Sequence, residues 1–136
     1  MNEKVWNTAE IKNNKSYGCY ILVLKLNEGK NIQIGKLGKF YFEKGVYFYV
    51  GSAKGGFSKR VTRYFKRRKK RWHIDYLLDE AEVIGIFLFD KYIDEEALAE
   101  KMSLLYRTPI RKFGATDSKS FSHLFKREGP RGRGAV

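Results

Sequence analysis

The residues best suited to chemistry in this chain come in a fixed order: Gly18-Cys19-Tyr20, Tyr49-Val50-Gly51, Arg60, Tyr64, His73, then Glu96 and Glu100. Their types suit phosphate-ester chemistry. Carboxylate oxygens suit a hard divalent cation, Mg²⁺ or Mn²⁺, and Glu96 and Glu100 share one face of any helix that carries them. A guanidinium matches phosphate with two parallel hydrogen bonds, and a histidine can assist a proton transfer. Each residue also has a plain alternative. Strands favour tyrosine, an arginine among many basic residues can be a solvated anchor, and a helical glutamate is commonly surface charge. His73, in RWHIDYLL, reads equally as a substrate-positioning partner of Asp75 and as a hydrogen-bonded structural histidine.

The elements that must position these groups follow from pattern. Residues 1–16 are polar without a clear period and read as a loose arm or a short helix. YGCYILVLKL (17–26) is an apolar run that reads as a buried strand. NEGK turns the chain, and NIQIG, KLGKFYFEKG and VYFYVG follow as strands, mostly antiparallel because their connections are short. From Phe57 the period becomes helical, with Lys59, Arg60, Arg63, Arg67 and Lys70 off the apolar face. RWHIDYLLDEA suggests a second helix and VIGIFLF a central strand. IDEEALAEKMSLLYR suggests a third helix, with Ile93, Ala97, Leu98, Met102 and Leu105 as its apolar face and Pro109 as its stop. FGATDSKSFSHLFK is a looped segment ending in a short strand.

The turn GSAKGG between VYFYV and the basic helix is not a phosphate loop. It lacks the Gly-Lys-Ser/Thr ending of a Walker sequence and the spacing of a dinucleotide fingerprint. Its default role is to join strand to helix.

Charge narrows the partner. Lys and Arg total 28 against 15 acidic residues, for a net charge of +13 in 136 residues. So one-sided an excess favours a polyanion, because each neutralised phosphate releases condensed counterions. The run KRRKKR, containing Arg67, Arg68, Lys69, Lys70 and Arg71, is the expected footprint for a nucleic-acid backbone; a solvated helix end is its plain alternative. Nothing resembles base readout. One cysteine and two histidines make a structural zinc site improbable. The single cysteine fits a reducing compartment, so a cytoplasmic location is expected. No apolar run reaches membrane-spanning length and no membrane association is expected.

The order GCY, YVG, Arg60, Tyr64, Glu100 resembles the GIY-YIG nuclease superfamily. Within it the chain looks most like the compact group catalogued as domain of unknown function 123, whose members are sometimes fused to endonuclease III-type proteins. Trp72 to Leu78 match that group's WHIDYLL segment, and Phe113 to Phe125 its FGxxD…SHLF segment. The resemblance covers residues 17–126. It departs in the Cys19 of the first tripeptide, in a longer insert between the tripeptides, and in the lack of any Asn after Asn31, where nuclease members often place one following the glutamate.

The resemblance implies a single α/β (α+β) domain over residues 17–127, with a small, mainly antiparallel sheet flanked by helices, an arm at 1–16 and a flexible basic tail at 128–136. It implies a divalent-metal-dependent endonuclease acting on DNA rather than RNA, in a repair or recombination setting with repair proteins as potential partners. Glu100 would hold Mg²⁺ or Mn²⁺, with Glu96 its competitor, and Arg60 would clamp the scissile phosphate. Tyr20 would act on the water, while Tyr49 and Tyr64 orient water and phosphate, and His73 lies near the site. His123 and Asp117 read as fold-closing residues. The alternative is a nucleic-acid-binding module of the same fold with weak or lost cleavage, to which the missing Asn points.

Overall fold

The computed structural model describes residues 3–5, 18–53, 64, 69–89, 93–115 and 120–128. Its centre is β2 (Gly18–Leu26), which pairs antiparallel along its whole length with β5 (Gly45–Ala53) and on its other side with β6 (Glu82–Phe89). β1 (Glu3–Val5) adds to the outer side of β6, and β7 (Leu124–Lys126) to the outer side of β5. The result is a five-stranded sheet in the order β1-β6-β2-β5-β7. Every pairing is antiparallel, although no two neighbours in this sheet are consecutive in the chain; the tight hairpin of the described residues, 30–42, lies outside it.

Three expectations need correction. Residues 3–5 form an edge strand, whereas the arm was expected to be loose or helical; the hydrogen-bonding edge of β6 supplies what the local sequence lacks. The hairpin of β3 (Lys30–Ile34) and β4 (Gly38–Phe42), joined by a 3₁₀ turn at Gly35–Leu37, does not extend the main sheet but forms a two-stranded sheet of its own. The last helix stops at Leu105, with Tyr106 extended, so its end is set before Pro109 is reached.

Alternation along the strands divides the core in two. Tyr20, Leu22 and Leu24 of β2, with Tyr47, Tyr49 and Ala53 of β5 and Ile86 and Leu88 of β6, face α1 (His73–Leu78) through Ile74 and Leu77. The β3–β4 hairpin closes this side with Ile32, Ile34 and Phe42. Cys19, Ile21, Val50 and Phe89 face the other way, onto Leu98, Ala99 and Met102 of α2 (Glu95–Leu105). Ala97 and Leu105, expected on that apolar face, are exposed, and Ala99 takes the buried place. Leu22, Leu24, Ile74 and Leu77 are fully buried, and truncating such a residue to Ala costs about 2–5 kcal/mol.

Among the described residues, α1 and α2 each start on a carboxylate. Asp94 Oδ2 accepts from Ala97 N at 3.0 Å, an N-cap that removes one orphan donor. Asp75 is wholly buried, and its Oδ2 accepts from the backbone N–H groups of Arg71 and Trp72 at 2.7 and 2.8 Å. Asp75 therefore anchors the entry into α1 and does not point to a substrate beside His73. A register shift between Val23 and Leu24 leaves Ile84 unpaired with β2 and half exposed. No helix among the described residues is long and apolar enough to cross a membrane.

Candidate functional site

The pairing of β2 with β5 sets the first half of the site. Tyr20 stands opposite Gly51, so the tyrosine of the first tripeptide lies against the glycine of the second. A Cβ at Gly51 would collide with the ring and hydroxyl of Tyr20. The glycine is thus needed for room beneath an aromatic ring, and no left-handed backbone is involved. The Tyr20 and Tyr64 hydroxyls are hydrogen-bonded to one another, and their rings meet edge to face at 6.0 Å. Both side chains are buried, Tyr20 completely.

Tyr49, two residues before Gly51, points to the same side of the sheet. Its ring meets Phe113 edge to face at 6.1 Å, and Phe113 meets His73 at 5.6 Å, so one buried phenylalanine joins the β5 tyrosine to the first residue of α1. Gly114 completes the link. Its N–H donates to His73 Nδ1 at 2.8 Å, and its φ of 67° suits glycine. A Cβ there would lie 2.9 Å from Tyr49 Cε1. With Nδ1 accepting, the neutral imidazole carries its proton on Nε2. Burial holds the His73 pKa below the usual histidine value, which favours this neutral form.

Glu96 and Glu100 form the second half, on the other side of the sheet. With Ala99 and Ser103 they make one stripe of α2 lining a cavity of about 320 Å³, closed opposite by Ser120, Phe121 and Ser122. Glu100 is exposed and Glu96 partly so. The two halves share one end of the sheet. Tyr20 pairs with Leu88 and Gly51 near the ends of β6 and β5, α2 starts just after β6, and the segment bearing Ser122 and His123 runs beside Val50 through a Val50 N–H to His123 O bond of 2.9 Å. The carboxylates are nevertheless grouped with serines and a phenylalanine, and the tyrosines with His73.

Oxygen donors one turn apart, beside serine hydroxyls in an open cavity, have the chemistry of a Mg²⁺ or Mn²⁺ site using one or two carboxylates plus water. Among the described residues no group of three or more His, Cys, Asp or Glu is placed to hold a metal, so two carboxylates are the most these residues offer. Cys19 is not a rival ligand or nucleophile: it is buried, its Sγ donates to Ile93 O at 3.3 Å, and burial pushes its pKa up to about 11.

Arg60, together with Lys59, Arg63, Arg67 and Arg68, lies outside the described residues, as does Asp117. Lys69, Lys70 and Arg71 are exposed, in no helix or strand, just ahead of α1. Lys70 is drawn inward, 2.6 Å from Asp79 and 5.5 Å from the Tyr76 ring, and the Arg71 guanidinium sits 5.9 Å from the Trp72 ring. The two latter cations thus lie over aromatic faces.

Sequence reasoning missed the joining role of Phe113 and Gly114, for which the FG pair was the available signal. It also missed Glu95. The carboxylate Oε2 of Glu95 lies 3.1 Å from Nδ1 of the buried His123, close enough for attraction but not aligned as a hydrogen bond. His123 also ties the 110–115 segment to the sheet, its N–H donating to Phe113 O at 2.9 Å.

Among known proteins, no curated protein and no solved structure matches this chain. The family model described as domain of unknown function DUF123 matches residues 19–133, a span that holds Cys19 and Tyr20 of the first tripeptide, all of the second, the His73–Phe113 link and the α2 carboxylates. The chain belongs to the DUF123 family.

Proposed function

We propose that this protein is a GIY-YIG-type endonuclease that hydrolyses phosphodiester bonds in DNA with Mg²⁺ or Mn²⁺, acting in the cytoplasm on structured intermediates of repair or recombination. The observation that carries the proposal is the register of β2 against β5, which stacks Tyr20 over Gly51 beside Tyr49, on the side of the sheet where Tyr64 and His73 also pack. The net charge of +13 supports a nucleic-acid substrate.

In hydrolysis a water oxygen bonds to phosphorus, the ester P–O bond breaks, and the leaving oxygen takes up a proton. Glu100 and Glu96 would hold the cation, which when bound neutralises charge on the phosphate. Arg60 clamps the phosphate with two hydrogen bonds and stabilises the added charge of the pentacovalent state. Tyr20 is assigned the water proton. A free tyrosine titrates at about 10, so this role calls for nearby cations near neutrality. Tyr49 and Tyr64 orient the reacting groups, and His73 offers its Nε2–H as a donor.

The second reading is a nucleic-acid-binding module without cleavage. The burial of Tyr20 and the pairing of its hydroxyl with Tyr64 favour it, because a water has no direct access to that oxygen.

Incubation with supercoiled plasmid and with branched or flapped duplexes, with Mg²⁺, Mn²⁺ or chelator, separates the two. The enzyme gives metal-dependent nicking that Glu100→Ala and Arg60→Ala each abolish. Tight, salt-sensitive binding without nicking leaves the binding module. Nicking that survives both substitutions places the chemistry elsewhere.

A further inference from the structure

Phe121 differs from the other phenylalanines near the site. Phe42, Phe113 and Phe125 are at most 1% exposed, whereas Phe121 is 52% exposed. Single exposed apolar residues are ordinary and need no partner. Two neighbours set this one apart. Its ring is part of the wall facing Glu96 and Glu100 across the cavity. The Arg111 guanidinium lies 5.9 Å from its ring centroid, within reach of a cation–π contact. The backbone holds the pair together, since Lys112 N–H donates to Phe121 O at 2.7 Å. An aromatic face and two carboxylates thus line one open cavity, with a guanidinium beside the aromatic ring.

We propose that Phe121 is a stacking platform for an unpaired nucleobase, with Arg111 holding the adjacent phosphate, so that this cavity takes nucleic acid carrying an unpaired nucleotide rather than continuous duplex. The proposal rests on the nucleic-acid part of the function proposed above and does not need cleavage. In a duplex both faces of a base are covered by its neighbours, whereas a base in a flap, overhang or single strand has a free face for an aromatic ring. Stacking tolerates any base, in keeping with a chain that shows no base-reading pattern. Arginine can bridge the two contacts, lying against the ring while reaching a phosphate oxygen.

The test is equilibrium binding in chelator, so that nothing is cut, to a blunt duplex and to the same duplex with a single-stranded overhang. A 2-aminopurine in the overhang reports stacking. Phe121→Ala is expected to weaken overhang binding about 10-fold while leaving the blunt duplex within about 2-fold. Phe121→Trp should restore affinity and quench 2-aminopurine. Phe121→Leu, which keeps apolar bulk without a π face, should behave like Ala, and Arg111→Gln should weaken overhang binding and flatten its salt dependence. Thermal unfolding of each variant checks that the fold is intact.

Equal loss on both substrates, no loss on either, or full rescue by Leu overturns the proposal; no loss on either would leave the ring as a contact for another protein. Failure here is distinct from failure of the nuclease reading. Selective loss in Phe121→Ala with no nicking on any substrate keeps the platform and removes the enzyme. Metal-dependent nicking with overhang binding unchanged in Phe121→Ala does the reverse.

Discussion

Replacing Gly51 with Ala tests the packing on which the tyrosine cluster depends. The added methyl would occupy space held by the ring and hydroxyl of Tyr20, a side chain with no exposed surface toward which to move. Overpacking of this kind costs about 1–3 kcal/mol. Displacing the ring also breaks the Tyr20–Tyr64 hydrogen bond, for about 1 kcal/mol more. Gly51 has no left-handed backbone to lose, and Ala recovers about 0.5 kcal/mol through a less flexible unfolded chain. The net expectation is a loss of about 1.5–3.5 kcal/mol. For a chain of 136 residues this lowers Tm by about 5–12 °C. Urea unfolding of wild type, Gly51→Ala, Tyr20→Leu and the double variant provides the assay. Removing the ring removes the collision, so the double variant should be more stable than the sum of the two losses predicts, by about 1 kcal/mol or more. A Gly51→Ala variant within about 0.5 kcal/mol of wild type, or strict additivity in the cycle, would refute the packing argument.

His73 gives the protein a pH signature. Its folded pKa is depressed below 6.5, so the unfolded chain takes up the proton first as pH falls. Its contribution is fully present above pH 6.5 and is lost progressively as pH drops toward the folded value; urea midpoints between pH 5.5 and 7.5 should show this slope and His73→Gln should flatten it. Cys19, buried and with its pKa raised to about 11, should leave a thiol reagent unreacted at pH 8 in the native protein and react at once in denaturant; rapid native reaction would show that the end of β2 opens.

Much of the sheet could be read in advance because its signal is local. YGCYILVLKL and VIGIFLF are apolar and β-branched, and such runs have few ways to bury themselves except as strands. The strand at Glu3–Val5 carried no such signal, since its cause is the edge of β6, far along the chain. The skipped residue Ile84 was equally invisible, because a bulge is a property of two strands in register. At the site, tyrosines, histidine and carboxylates were visible as types at intervals. Which side of the sheet each would occupy was not, and α2 lies opposite the tyrosines because the odd residues of β2 cover it. Asp75 shows the same limit. Beside His73 it looked like chemistry, yet the backbone N–H groups three and four residues earlier claim its oxygen.

The outermost strands, Glu3–Val5 and Leu124–Lys126, are only three residues long, while β6 and β5, which they flank, run for eight and nine. A long bare rim of unpaired N–H and C=O groups is a template on which further chains can add as in amyloid. Here β7 and its continuation mask that rim, with Val46 O taken by Arg127 N–H and Val50 N–H by His123 O. Two short pieces of chain, distant in sequence, thereby act as gatekeepers for the stickiest element of the molecule, and damage to the 122–127 segment would be felt first as precipitation.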